Sequence, residues 1–319
     1  MKKIISKTPL PIAGLMLALA AAGNLLASYS IIYKGILGSI SAIIFLLLLL
    51  KIFINQKDII RDLENPVIAS VAPTFSMGMM ILSTYIKPSV SSIAYVFWIV
   101  GLLIHCLLLI YFTKKFILNF NMKKVFPSYF VVYVGIVVGS VTAPAFNLAG
   151  LGQLLFWFGF ICYLILLPIV IYRVFKVKAI PEPALPTITI FSAPASLCLA
   201  GYMSSFQEKN MTMVWLLTFL SLIMLFAVLL YMPKMLRLKF YPSYSAFTFP
   251  CVISAIAIKK TNGFLISTNQ GISVVKYLVK FEELLAVAIV VYVLIRYIGF
   301  VLINNPVQNN ITVNNKSSL

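Results

Sequence analysis

The stretch PSYSAFTFPCVISAIAI, residues 242–258, begins with a proline, carries a second proline two helical turns later and contains no charged residue. It belongs to an apolar segment of the length that crosses the roughly 30 Å hydrocarbon core of a bilayer as a helix. The second proline, Pro250, removes a backbone hydrogen bond, so we predict a kink there. Lipid cannot satisfy the carbonyl that the kink frees, and this helix therefore belongs inside a bundle.

The same pattern recurs along the chain, because a proline opens an apolar stretch after a basic loop at intervals of 55, 61, 59 and 56 residues. The five prolines are Pro11, Pro66, Pro127, Pro186 and Pro242. Each repeat contains two apolar segments, so the unit is predicted to be a helix hairpin, and five such hairpins can close around a common axis. The repeat predicts a central pore.

The composition excludes a soluble fold, since 62% of the 319 residues are hydrophobic and only 10% are charged. A β-barrel is excluded as well, because runs such as residues 43–50 are apolar on every side rather than alternating. We predict an all-α integral membrane protein, a ten-helix domain over residues 1–303 and a polar, disordered cytoplasmic tail over residues 304–319. The predicted spans are residues 10–31, 36–54, 66–86, 91–113, 126–147, 150–172, 186–204, 212–232, 241–258 and 277–302.

The net charge is +18, and the basic residues fall mainly in the loops on one side of the membrane. This distribution argues against nucleic acid as a partner. With the N-terminus in the cytoplasm, 18 of the 25 basic residues fall inside. The seven outside are Lys34, Lys87, Lys209, Lys259, Lys260, Lys276 and Lys280. The positive-inside rule then predicts a multi-pass protein with both termini cytoplasmic. We also expect the protein to reside in a bacterial inner membrane. The first 24 residues imitate a signal peptide, but we expect them to be retained because their prolines belong to the repeat.

The odd-numbered segments differ from the even-numbered ones. Most odd segments carry a second helix breaker, namely Pro73, Gly135, Pro194 or Pro250, and they are rich in small and hydroxyl residues. Small residues allow close packing around a narrow axis. The even segments are smoother and bulkier. We therefore predict five kinked inner helices that line the pore and five outer helices that face lipid.

When the five repeats are aligned on their first proline, residues at similar depths in the membrane fall at the same position of the alignment. Phe249 is the large aromatic residue at the level of the kinks, so one phenyl ring can block the pore by excluding water. The alternative is that Phe249 only packs between helices. The residues predicted to line the pore around it are Ala18, Ala72, Thr74, Val134, Gly135, Ser192, Ala193 and Thr248.

Charged residues are missing between the ends of the inner segments, which disfavours a proton relay or a cation channel and favours weak binding of small anions. Glu282 and Glu283 in the tenth segment are exceptions: a Lys280–Glu283 pair or a subunit contact is the structural interpretation, and binding of a coupling proton is the functional one. We expect His105 to be hydrogen-bonded rather than functional. The sequence has no recognisable enzymatic motif, and we expect no catalytic residue, cofactor or metal.

The pattern resembles the tellurite-resistance/dicarboxylate transporter family, which includes bacterial tellurite-resistance membrane proteins, yeast malate permease and plant guard-cell slow anion channels. The resemblance covers all ten segments, and its motifs are short. They are residues 245–249 (SAFTF), 127–130 (PSYF), 193–195 (APA) and 8–11 (TPLP).

The resemblance implies a homotrimer in which each subunit has its own pore, occluded by a phenylalanine of the ninth helix. The local sequence match assigns this role to Phe249. Phe247 is the alternative if the alignment is shifted. The chain departs from the family in segment one, which lacks a second proline, and in segment five, where Gly135 stands in place of proline.

Three functions remain open on the sequence. The first is a gated channel, or channel-like exporter, that passes small anions such as chloride, nitrate or oxyanions across the lipid bilayer. The second is a coupled carrier for dicarboxylate, sulfite or tellurite-related oxyanions. The third is a membrane scaffold or sensor with a permanently closed pore.

Overall fold

A computed structural model describes residues 2–302, with side chains from residue 4 onward, so the predicted tail over residues 304–319 lies outside the described part. Residues 2–302 form helices joined by short non-helical connections, with no strand among them. Eight helices in this range are long and apolar enough to cross a membrane. They are Ile31–Ile54, Pro66–Ile86, Ser91–Ile117, Ala149–Val177, Glu182–Ser205, Met211–Leu236, Pro242–Ser267 and Val275–Leu302. The first and fifth predicted spans contain shorter apolar helices, Ile12–Leu26 and Val137–Phe146.

Several of these spans consist of more than one helical piece. The α-helices are α1 (Lys2–Lys7), α2 (Ile12–Leu26), α3 (Ile31–Ile54), α4 (Gln56–Asp62), α5 (Pro66–Val71), α6 (Thr74–Ile86), α7 (Ser91–Phe112), α8 (Tyr129–Tyr133), α9 (Val137–Thr142), α10 (Ala149–Tyr172), α11 (Ala193–Ser205), α12 (Met211–Leu236), α13 (Thr248–Ser267) and α14 (Val275–Leu302). The 3₁₀ segments are Met122–Lys124, Ala143–Phe146, Glu182–Ser192 and Pro242–Phe247, and the π-helical segments are Thr113–Ile117 and Arg173–Val177.

The prolines inside the odd-numbered segments coincide with changes of helix. Pro73 separates α5 from α6, and Pro194 is the second residue of α11, directly after the 3₁₀ segment Glu182–Ser192. Pro250 is the third residue of α13, directly after the 3₁₀ segment Pro242–Phe247. Proline has no N–H to donate and clashes with the preceding turn, so a regular α-helix cannot continue unchanged through these positions.

Segment five is interrupted at Gly135, between α8 and α9. The break leaves the Val132 carbonyl to accept a bond from Nε2 of His105, 3.0 Å away, while Nδ1 of His105 lies 3.0 Å from the Ser76 hydroxyl. His105 is fully buried, so its role here is to satisfy the backbone of a broken membrane helix.

We expect Gly135→Ala to destabilise the protein by about 1–3 kcal/mol, the usual cost of overpacking. A Cβ at Gly135 would lie 2.1 Å from the Val131 carbonyl oxygen and 2.8 Å from Sδ of Met77. Gly150→Ala is the matched control, because a Cβ there meets no atom within 4 Å. The measurement is thermal unfolding in detergent, and equal midpoints for the two variants would contradict the expectation.

The buried helices contact one another in cyclic order. Helix α2 packs against α6, α6 against α9, α9 against α11, α11 against α13, and α13 against α2. The longer helices lie outside these contacts, each between two buried neighbours: α10 touches α9 and α11, α12 touches α11 and α13, and α14 touches α13 and α2. Five segments therefore surround a common centre.

Burial separates the same two sets of helices. In the apolar stretches of the third, seventh and ninth segments, 83%, 89% and 61% of the residues are buried. In those of the even-numbered segments, only 22–39% of the residues are buried. Large apolar side chains are exposed on all five even segments. One example from each is Ile43, Leu103, Leu164, Leu230 and Leu284. This apolar exterior is what a bilayer would cover.

Contacts also divide the loops between two ends of the molecule. At the end that carries α1, Lys51 Nζ donates to the Thr8 carbonyl at 2.6 Å, and Arg173 donates to the Lys123 carbonyl at 3.1 Å. Helix α13 extends further than the sequence predicts. The predicted segment ends at residue 258, but the helix continues to Ser267, at the end of the molecule opposite α1. The predicted segment stopped at two lysines, Lys259 and Lys260, which the helix instead carries to the mouth of a cavity.

Candidate functional site

A cavity of about 500 Å³ lies between the five buried segments and opens at the end where α13 carries its lysines. Every one of the five segments contributes to its wall. The lining residues are Ala21, Asn24, Leu25, Ser28, Lys34, Ile81, Thr84, Val138, Val141, Thr142, Ala145, Leu197, Phe249, Ile253, Ile256, Lys259 and Lys260. A cavity shared by all five segments lies on the central axis of the bundle.

Helix α13 lines this cavity along one face. Phe249, Ile253, Ile256 and Lys260 recur at helical spacing, so they lie on one side of the helix. Lys260 lies eleven positions after Phe249, which is about 16 Å at 1.5 Å per residue. Phe249 is the first residue of α13 that reaches the cavity, and the residue is 6% exposed. The cavity thus extends from Phe249 at its inner end to Lys260 near its mouth.

The mouth is basic, since Lys34, Lys259 and Lys260 are among the lining residues and no acidic residue is among those described. Lys34 also lies 4.8 Å from the centroid of the Tyr85 ring. Lys209, in the connection between α11 and α12 and outside the membrane spans, is close enough to Lys260 to repel it. Partial burial lowers the pKa of Lys209 from its ordinary value of 10.5. No acidic residue of the described lining offsets Lys34 and Lys260, so this partly enclosed space has a positive potential that concentrates anions.

Lys259 is held by a polar chain that crosses from α13 to α14. Its Nζ donates to Oε1 of Glu283 at 2.7 Å and to the Ser28 hydroxyl at 2.7 Å. Tyr29 donates to the other Glu283 oxygen at 2.5 Å and accepts from Lys280 at 2.5 Å. The expected Lys280–Glu283 pair is therefore replaced by an indirect link through Tyr29, because Lys259 reaches the carboxylate directly.

The residues predicted to line the pore are not part of the wall of this cavity. They are buried, and none of them is among the residues that line the 500 Å³ cavity; they are Ala18, Ala72, Thr74, Val134, Gly135, Ser192, Ala193 and Thr248. The three hydroxyls in this set donate to carbonyls three residues earlier in their own segments, at 2.6–2.9 Å. In this conformation these hydroxyl hydrogens satisfy the backbone around the helix breaks.

Phe247, the alternative gate residue, lies elsewhere. Its side chain is fully buried and meets the Tyr244 ring edge-on at a centroid distance of 5.1 Å. Phe247 does not line the cavity, whereas Phe249 does. Of the two phenylalanines, only Phe249 is in a position to close the described cavity.

Sequence reasoning missed the polar residues near the mouth, above all Lys260, Asn24 and Thr84. The Asn24 amide donates to the Thr84 hydroxyl at 3.2 Å, which joins α2 to α6. Lys260 recurs at helical spacing with Phe249, Ile253 and Ile256. Extending segment nine through its two lysines would have placed Lys260 on the pore face.

A bundle of membrane helices around a basic, acid-free cavity is the architecture of a membrane transport protein for anions. The family described as SLAC1, voltage-dependent anion channel, matches residues 8–298. The chain therefore belongs to this family. It is also similar to an uncharacterized transporter of Methanocaldococcus jannaschii, with 26% identity over 287 residues, which covers 75% of this chain and 81% of the relative.

Proposed function

We propose that the protein is a gated anion channel, or channel-like exporter, that passes small anions through a pore closed by Phe249. In this proposal the two shorter helices, Ile12–Leu26 and Val137–Phe146, complete ten crossings arranged as five hairpins. The five inner segments line the pore and the five outer helices face lipid. The family resemblance extends the proposal to a homotrimer in a bacterial inner membrane, and the charge distribution extends it to cytoplasmic termini.

The observation that carries this proposal is the cavity on the axis of the bundle, with lysines near its mouth and Phe249 at its inner end. An apolar ring at a narrow point blocks ions by excluding water. The electrostatics of the mouth favour anions over cations without needing a charged group inside the pore.

Conduction is favoured over tight capture because few strong donors remain unengaged around the cavity. Lys259 is held by Glu283 and Ser28, and the Thr84 hydroxyl donates to the Ile81 carbonyl at 2.7 Å. A site that binds weakly releases its ion quickly, as a channel requires.

A coupled carrier for dicarboxylate, sulfite or tellurite-related oxyanions is the second candidate function. The observation that favours it is Glu282, a buried carboxyl group in α14 whose two oxygens have no hydrogen-bond partner among the described residues. Such a group is a candidate for carrying a coupling proton.

The test is the current of the purified protein in a planar bilayer with asymmetric chloride. A channel gives a current that reverses near the chloride equilibrium potential. A carrier instead gives saturating uptake and counterflow of labelled anion in vesicles. Absence of both current and flux from folded protein would contradict transport and favour a closed scaffold.

A further inference from the structure

Glu282 is a carboxyl group buried in helix α14, with 1% of the residue exposed. Neither of its oxygens makes a hydrogen bond within the described part of the chain. Its neighbour Glu283, in contrast, is engaged by Lys259 and Tyr29. An ionised carboxylate without a partner in an apolar interior is far more costly than the neutral acid. The conformation described here therefore favours the protonated form of Glu282.

The carboxyl group faces the side of α13 that turns away from the cavity. The polar groups near it on α13 are the Cys251 thiol and the Ser254 hydroxyl. Ser254 is also 1% exposed, and its hydroxyl makes no hydrogen bond among residues 4–302. Residues 251 and 254 share one face of α13, whereas Phe249 and Ile253 lie on the cavity face. One helix thus contacts Glu282 on one side and carries the gate on the other.

The other elements packed against α14 place their charged groups elsewhere. Helix α2 contains no ionisable residue. The 3₁₀ segment Pro242–Phe247 contributes Tyr244, which lies beside Arg296, about 21 Å along α14 from Glu282. Helix α1 contributes Lys7, at the end of the molecule opposite the cavity mouth. On α13 the nearest cation to the α14 carboxyls, Lys259, is bound to Glu283.

We propose that Glu282 is a proton-binding site that controls anion conductance through helix α13. This proposal rests on the proposed function of the cavity. With the proton bound, α14 packs against α13 as described and Phe249 stays at the inner end of the cavity. Loss of the proton leaves a negative charge that this interface cannot hold. The two helices then separate enough for water to reach the carboxylate, and α13 shifts with its gate residue.

The direction of the pH dependence follows from linkage. The closed conformation binds the proton more tightly than the open one, so acid favours closure and conductance rises as the pH rises. The ratio of open to closed protein can change by at most the ratio of the two proton affinities. A tenfold difference in affinity therefore gives about a tenfold increase in conductance between acid and alkaline solution.

The experiment compares the chloride conductance of the reconstituted full chain with that of Glu282→Gln over a range of pH. Glutamine matches the shape of the neutral acid, so we expect Glu282→Gln to remain at the acid level of the wild type at every pH. Glu283→Gln is the matched control: it frees Lys259 and changes the size of the current, but it keeps the pH dependence. Wild type and Glu282→Gln with the same pH profile would overturn the proposal.

Infrared difference spectroscopy supplies a readout that does not depend on transport. The wild type is expected to show the carbonyl band of a buried carboxylic acid that disappears as the pH rises and is missing in Glu282→Gln. A wild type without this band at any pH overturns the proton-binding site. Absence of current in every variant contradicts the channel function, and the infrared band then still decides whether Glu282 binds a proton.

Discussion

Phe249→Ala is expected to increase the chloride conductance by about tenfold, the change that follows from lowering a barrier by about 1.4 kcal/mol. Phe249 is the α13 residue at the inner end of the cavity, and the predicted pore residues around it are mostly small. Removing the ring widens the narrow point and lets water occupy it. The measurement is the current of purified wild type and variant in a planar bilayer with asymmetric chloride.

Leucine at each of the two phenylalanines provides the matched comparison. Phe249→Leu is expected to give an intermediate current, because leucine fills part of the space of the ring. Phe247→Leu is expected to leave the current unchanged, because Phe247 packs against Tyr244 and does not reach the cavity. A current that increases for Phe247→Leu but not for Phe249→Ala would assign the gate to the other residue. Equal currents in wild type and Phe249→Ala would contradict an aromatic gate altogether.

Lys260→Glu is expected to lower the ratio of anion to cation permeability by about tenfold. Lys260 is an exposed cation on the cavity face of α13, and the substitution reverses its charge near the mouth. The measurement is the shift of the reversal potential in a gradient of potassium chloride. The effect should shrink at high ionic strength, since the screening length falls from about 10 Å at 0.1 M to about 3 Å at 1 M.

The matched control for this charge reversal is Lys276→Glu. Lys276 is an exposed lysine at the start of α14 that lies against the Tyr277 ring and does not line the cavity. It changes the net charge of the protein by the same amount as Lys260→Glu. Equal shifts of the reversal potential for the two variants would show that overall charge, rather than the cavity mouth, sets selectivity.

The membrane location and the two kinds of helix could be predicted from the sequence because both depend on local properties. Runs such as residues 43–50 are too apolar for water, and no tertiary contact changes that. Pro73, Pro194 and Pro250 fix where a regular α-helix cannot continue, since the missing N–H is a property of the residue itself. The gate role of Phe249 stays a prediction, although its position at the cavity favours it over Phe247.

The partners of polar groups could not be predicted, because they depend on contacts between distant residues. Lys259 and Glu283 lie 24 positions apart, and only the packing of α13 against α14 brings them together. The hydroxyls of Thr74, Ser192 and Thr248 each donate to a carbonyl of their own segment, and their place in the pore stays a prediction.

The sequence by itself determined that this chain is a helical membrane protein with repeated, proline-interrupted segments and a basic bias, since hydropathy and backbone chemistry are carried by each residue. The tertiary structure alone decided where the cavity lies, that Lys260 faces it, and that the buried Glu282 has no hydrogen-bond partner among the described residues. Those features depend on how five segments pack around one axis, because the distance between two side chains on different helices is set by that packing and not by their spacing along the chain.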